Sequence, residues 1–213
     1  MIIAVDGPAA SGKGTVSRMI ADAYGLGYLD TGRLYRAVAR DVEATGGSLE
    51  NETYAIEAAR RLDPTTLDDA SLRLTGVGNA ASIVAGHSGV RAVLLDLQRT
   101  FAARPAGAVL DGRDIGTVVC PDADVKLFIT ATAEVRAERR YLELIRRGEE
   151  VTREGILETI RVRDQRDRDR VNAPMRPADD AMLLDTTDLD INQAFSAAVE
   201  LIKRKIGQRS VSK

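Results

Sequence analysis

The chain predicts an α/β fold with a five-stranded parallel sheet flanked by helices. Five short apolar runs, at residues 2–6, 28–30, 108–111, 125–129 and 182–184, have the length and unbroken hydrophobicity of strands buried on both faces. Helical patterns separate them, so β and α units alternate. The 213 residues, 44% of them hydrophobic, suffice for one domain of this kind with insertions and a full core.

The first run, Ile2-Ile3-Ala4-Val5-Asp6, leads into Gly7-Pro8-Ala9-Ala10-Ser11-Gly12-Lys13-Gly14-Thr15, and a helical pattern begins just after it. Strand, glycine-rich loop with lysine, then helix is the geometry of a phosphate cradle. Loop N–H groups turn inward on an anion, and the helix N-terminus adds its partial positive charge. Gly7 through Thr15 are therefore candidates to bind a nucleoside triphosphate, with Lys13 reaching its outer phosphates. The strict pattern has Ser or Thr directly after the lysine; here Gly14 intervenes and Thr15 comes second.

The second run ends at Asp30 and continues as Thr31-Gly32-Arg33-Leu34-Tyr35-Arg36. Arg33 and Arg36 are three apart, so they share a helix face, and guanidinium groups suit a phosphate. The plainer alternative is a helix capped by Thr31 with solvated arginines. The third run ends at Asp111, a strand-tip position suited to holding Mg²⁺ partly through water, with Thr15 as the other candidate ligand. Asp111-Gly112 could also be an ordinary turn. Arg113 follows, placed to hold a transferring phosphoryl group, and Asp114 comes next.

Two regions exceed what a minimal α/β core needs. Residues 31–100 are far longer than one crossover helix and predict a substrate-binding insertion; residues 146–155 form a charged break that predicts a short lid. The helix after that break carries Arg161-Val162-Arg163-Asp164-Gln165-Arg166-Asp167-Arg168-Asp169-Arg170. At about 100° per residue, Arg163, Asp167 and Arg170 continue the apolar stripe of Ile156 and Ile160, with Arg166 beside them. Charges on an inward face are costly unless paired or facing a ligand, so these residues are expected to meet a phosphate. Asp164 and Asp169 are read as balancing charge. The last helix repeats Ile191, Ala194, Phe195, Ala198, Val199, Ile202 and Ile206 with Asp190 as N-cap, a plain packing helix.

A net charge of −2 and pI near 5.6 argue against a nucleic-acid polymer as partner. No apolar run reaches membrane-spanning length, and Met1 enters a core strand directly, which predicts a cytoplasmic protein without a signal peptide. The lone Cys120 excludes an intrachain disulfide framework and is read as a packing residue; no CxxC pair predicts zinc. His87, the single histidine, is expected on a surface loop. The shortage of general bases suits transfer to a phosphate monoester, whose oxygen is already largely deprotonated at neutral pH. Such transfer needs positive charge and alignment more than proton chemistry.

Taken together, the motifs at Asp6–Thr15, Tyr28–Arg36, Asp111-Gly112-Arg113-Asp114-Ile115-Gly116-Thr117 and Arg163–Arg168, with Asn79-Ala80-Ala81-Ser82 and Val90-Arg91, resemble those of bacterial cytidylate kinases. The resemblance runs nearly the whole chain in order. It implies a P-loop kinase core with an insertion for the nucleoside monophosphate (NMP) and a short lid, in one domain over 1–213. It also implies ATP and CMP or dCMP as substrates, Mg²⁺ as cofactor, and a monomer. Carried over by position, Gly7 through Thr15 bind ATP; Lys13, Asp111, Arg113 and Arg170 serve catalysis; and Arg36, Arg113 and Arg170 hold the acceptor phosphate. Arg163 and Asp167 meet the sugar, Ser82, Arg91 and Asp114 read cytosine, and Thr31 also faces the substrate. The insert between Asn51 and Asn79 is shorter than in longer members, and the approach to Leu74-Thr75-Gly76-Val77-Gly78 lacks their fuller basic pattern. The residues alone leave two alternatives: another small P-loop kinase acting on UMP, AMP or a shikimate-type alcohol, and a non-enzymatic nucleotide-binding switch.

Overall fold

A computed structural model describes residues 1–68, 70–73 and 76–211. Leu74 and Thr75, part of the short insert, lie outside the described residues. All five predicted strands are present: β1 (Ile2–Asp6), β2 (Gly27–Asp30), β3 (Ala108–Gly112), β4 (Val125–Thr130) and β5 (Met182–Asp185). They pair in parallel in the order β2-β3-β1-β4-β5. Register sets Asp30 of β2 beside Asp111 of β3, and Asp6 of β1 beside Gly112. The carboxyl ends of three adjacent strands thus present acidic residues at one edge, where open α/β sheets bind ligands.

Helices cover both faces. α1 (Lys13–Tyr24) and α8 (Ile191–Val211) pack Val16, Ile20, Ala194, Ala198 and Ile202 against Ile3, Val5, Val109, Leu127 and Ile129. Asp190 caps α8 as predicted, accepting from the backbone N–H of Asn192 and Gln193. On the opposite face, α2 (Thr31–Ala44), α3 (Glu52–Arg60), α4 (Val77–Val84) and α5 (Ser88–Ala102) bury Leu34, Val38, Val84, Val90 and Leu94 against Ala4, Ala108 and Leu110. The region 31–100 is therefore four helices with two 3-10 turns, Pro64–Asp68 and Ala70–Arg73. Among the described residues no single helix is long and apolar enough to cross a membrane; α4 and α5 together are, but they meet at 100°. Cys120 sits in this second core, 8% exposed.

α6 (Ala133–Arg146) and α7 (Arg153–Asp169) form a helical hairpin joined by residues 147–152, with Leu144, Ile156 and Ile160 in a small core of their own. Thr152 caps α7 through the N–H of Gly155. His87 departs from its surface reading: it is half-buried, and its Nε2 lies 2.8 Å from the carbonyl of Leu49, tying the start of α5 to the loop after α2. Asp164, read as balancing charge, does balance a cation, but as a buried partner of Arg136 at 5% exposure.

Candidate functional site

The loop Gly7–Gly12 joins β1 to α1, and its backbone follows from its glycines. Gly7 has φ +144°, and a Cβ there would stand 2.0 Å from the carbonyl oxygen of Ile129, so β4 passes too close for any side chain. Gly12, also at positive φ, occupies the N-cap position of α1, so the first N–H groups of that helix have no side-chain cap and face the cleft. Lys13 is buried, with its Nζ 3.9 Å from Asp111 Oδ1. Burial foremost, then the charge of Arg113, brings the Lys13 ammonium down to about 8. Ser11 is fully buried with its hydroxyl unpaired, and Thr15 is exposed at the cleft wall.

Asp111 is nearly sealed in. Tyr28 Oη donates to its Oδ2, and Thr31 Oγ1 donates to its carbonyl oxygen at 2.8 Å. Burial, and then the neighbouring Asp30 charge, push the Asp111 carboxyl up. Two close carboxylates in a desolvated corner are what a hard divalent cation relieves, and Mg²⁺ binds to few protein oxygens when phosphates supply the rest. Asp111 and Thr15 fit that role. Among the described residues no cluster of three acidic, histidine or cysteine side chains offers a self-sufficient metal site. Thr31, predicted to face substrate, gives its hydroxyl hydrogen to β3 and lines the cleft with what remains.

Across a cleft of about 630 Å³, the remaining predicted residues converge from four elements. Asp167 of α7 is their centre: Ser82 Oγ of α4 donates to its Oδ1 at 2.8 Å, Arg113 Nε to its Oδ2 at 3.0 Å, and Arg163 Nε lies 3.9 Å away. Burial presses the Asp167 carboxyl upward, but Arg113, Arg163 and Arg170 outweigh it and hold the group below the usual carboxylate range. Arg163, crowded by burial and by Arg113, falls to about 10, and its Nε has no hydrogen-bond partner. Arg91 of α5 pairs with Asp114 and lies over the Tyr35 ring. Arg170 donates to the carbonyl of Ala173 at 3.0 Å, and its Nε too is buried without a partner. Arg36 and Arg33 share their helix face, as their spacing requires, and both turn to Asp30. Arg166 reaches Asn79 Oδ1 at 2.7 Å.

Four side chains at or beside the cleft escaped the sequence reading, and a fifth, Asp164, was read as balancing charge alone. Tyr28 passed as a strand residue, yet it holds Asp111. Arg136 of α6 grips Asp164 through two nitrogens and also donates to the carbonyls of Ala131 and Ala9, tying α6, α7 and the phosphate loop together. Asp164 carried a usable signal, since it follows Ile160 by four residues on the stripe already recognised. Arg140 and Arg147, both donating to Glu143, line the cleft beside the 147–152 loop.

The comparisons with known proteins agree with this geometry. The family model described as cytidylate kinase matches residues 3–204. A cytidylate kinase from Xanthobacter autotrophicus (strain ATCC BAA-1158 / Py2) is 60% identical over 205 residues, covering 96% of this chain and 98% of its own. One from Azorhizobium caulinodans is 58% identical, covering 97% of this chain and 100% of its own. A crystal structure of an uncharacterized protein from Eubacterium ventriosum ATCC 27560, 15% identical, covers 95% of this chain and 98% of that one with a TM-score of 0.53; it shares the fold.

Proposed function

This chain belongs to the cytidylate kinase family and phosphorylates CMP and dCMP with ATP, and we propose that it does so by direct in-line transfer between two anions held on opposite walls of the cleft. One observation carries the reading. Lys13 on one side and Arg36, Arg113, Arg163 and Arg170 on the other face the same space, and the single histidine lies elsewhere, bonded to Leu49. That is a site rich in fixed positive charge with no histidine to take a proton, which transfer to a phosphate oxygen calls for.

In this reading Gly7–Thr15 cradle the triphosphate, with N–H groups and Lys13 on its oxygens. Asp111 and Thr15 would hold Mg²⁺, which would supply neutralising charge to the donor phosphates. Arg36, Arg113 and Arg170 take the acceptor phosphate, and Arg113 is placed to follow the transferring group. Arg163 and Asp167 orient the sugar. Ser82, Arg91 and Asp114 read the base: a carboxylate accepts from the cytosine amino group, while guanidinium and hydroxyl donate to its acceptors. Residues 31–100 serve as the NMP-binding region and residues 146–155 as a lid that keeps water from the phosphoryl group. Both substrates are small and both half-sites lie in one chain, so the reading includes a cytoplasmic monomer with no membrane or nucleic-acid partner.

A coupled assay of ADP release with CMP, dCMP, UMP, AMP and shikimate tests this. CMP and dCMP are expected to lead; a preference for AMP or shikimate overturns it, and ATP binding without acceptor-dependent turnover supports a switch instead.

A further inference from the structure

In the proposed reading Asp111 faces the metal, Asp114 the base and Asp167 the sugar, while Asp30, whose charge bears on Asp111 from the next strand, is assigned no ligand of its own. Its placement is unusual. It occupies the N-cap of α2, where an aspartate ordinarily accepts a hydrogen bond from the first turn and stabilises the helix by about 1 kcal/mol, yet its side chain makes no such bond. Instead Oδ2 accepts from Arg36 Nη2 at 2.6 Å and lies 3.5 Å from Arg33 Nε. Gly32 leaves room for this pairing: a Cβ there would sit 3.0 Å from Asp30 Oδ1 and 3.1 Å from Arg36 Nη1. One carboxylate thus faces two guanidinium groups from the first turns of α2.

To a guanidinium, a carboxylate oxygen and a phosphate oxygen are the same kind of partner. From this we infer that Asp30 is a displaceable counter-charge in the acceptor-phosphate site: it occupies Arg36 in the resting cleft, and the phosphate of arriving CMP takes Arg36 from it. The inference rests on the assignment of Arg36 to that phosphate. It makes Asp30 a specificity residue. A phosphate monoester, close to dianionic, outcompetes a single carboxylate for Arg36, whereas a weaker anion does not, so the site resists filling by the wrong ligand.

The test is calorimetric titration of the whole chain with CMP and, separately, cytidine, without ATP or metal. Asp30→Asn and Asp30→Ser remove the competing charge, and serine can also cap α2. Both variants are expected to bind CMP at least about fivefold more tightly, with cytidine affinity unchanged, because cytidine brings no phosphate to compete. Unchanged or weaker CMP binding in both variants, with cytidine binding intact, overturns the inference and leaves Asp30 as a strut for Arg36. Arg36→Ala separates the two layers. It should weaken CMP and spare cytidine; if CMP binding is untouched, the assignment of Arg36 fails. If Arg36→Ala weakens CMP but neither Asp30 variant tightens it, only the counter-charge fails.

Discussion

Lys13 shows how far a single side chain depends on its surroundings. Buried among Arg113, Asp111 and Asp30, its ammonium falls to about 8, so it stays mostly charged at pH 7 but titrates well before an ordinary lysine. The protonated form binds the triphosphate, so ATP affinity of the free enzyme should weaken as pH rises through about 8, and Lys13→Arg, which stays charged, should abolish that limb. Lys13→Ala should cut turnover on the order of a thousandfold while circular dichroism is unchanged, since its role is electrostatic. Asp114 is tied to Arg91, and Asp114→Ala is expected to lower the CMP-to-UMP preference at least about tenfold with little change in ATP binding. A preference left intact would remove Asp114 from base reading. At this scale the sequence spoke clearly about residue types that demand a partner. Arg163 and Asp167 on an apolar stripe announced a buried charged cluster, because unpaired charge cannot be buried cheaply, and the structure pairs Asp167 with Ser82, Arg113 and Arg163. Tyr28 announced nothing, because a tyrosine in a strand has a sufficient reason to be there in its ring; its bond to Asp111 depends on register between β2 and β3, which no local pattern encodes.

The α6–α7 hairpin is where elements meet the chemistry. Its apolar core is small; the exposed pairs Arg153–Glu138 and Arg161–Glu134 join it, and the buried Arg136–Asp164 pair does so while Arg136 also reaches the carbonyl of Ala9 in the phosphate loop. Breaking one half leaves an unpaired buried charge, so Arg136→Ala should destabilise the fold by about 3–5 kcal/mol, visible as a melting temperature lower by roughly 10 °C. Replacing both partners with leucine should recover most of that loss. ATP affinity should fall with Arg136→Ala and stay low in the double replacement, because the Ala9 contact is lost in both. The strands were readable to within a residue or two from apolar runs alone, since the central strands are buried on both faces and carry few polar positions before their carboxyl ends. The region 31–100 was readable only as an excess of chain. Its four helices are held by contacts between α2 and α4 and between α3 and α5, which are products of packing and not of periodicity.

At the scale of the molecule, the cleft joins parts with different attachments. The sheet and its two covering layers are continuous, whereas the 147–152 loop hangs between α6 and α7 with Arg147 held on Glu143. If that loop closes over bound substrates, proteolytic cleavage within it should slow several-fold with CMP and a non-hydrolysable ATP analogue together, and less with either alone; equal rates in all states would rule out closure. Cys120 offers a second route to testing for that closure. It is the chain's single thiol, buried behind the sheet, and burial raises its pKa, so little of it exists as reactive thiolate. A cysteine introduced at the exposed Glu150, in the loop, would therefore take up a fluorophore alone, with the native thiol left in place. The molecule comes already prepared for a single-site optical reporter of whether its cleft opens and shuts.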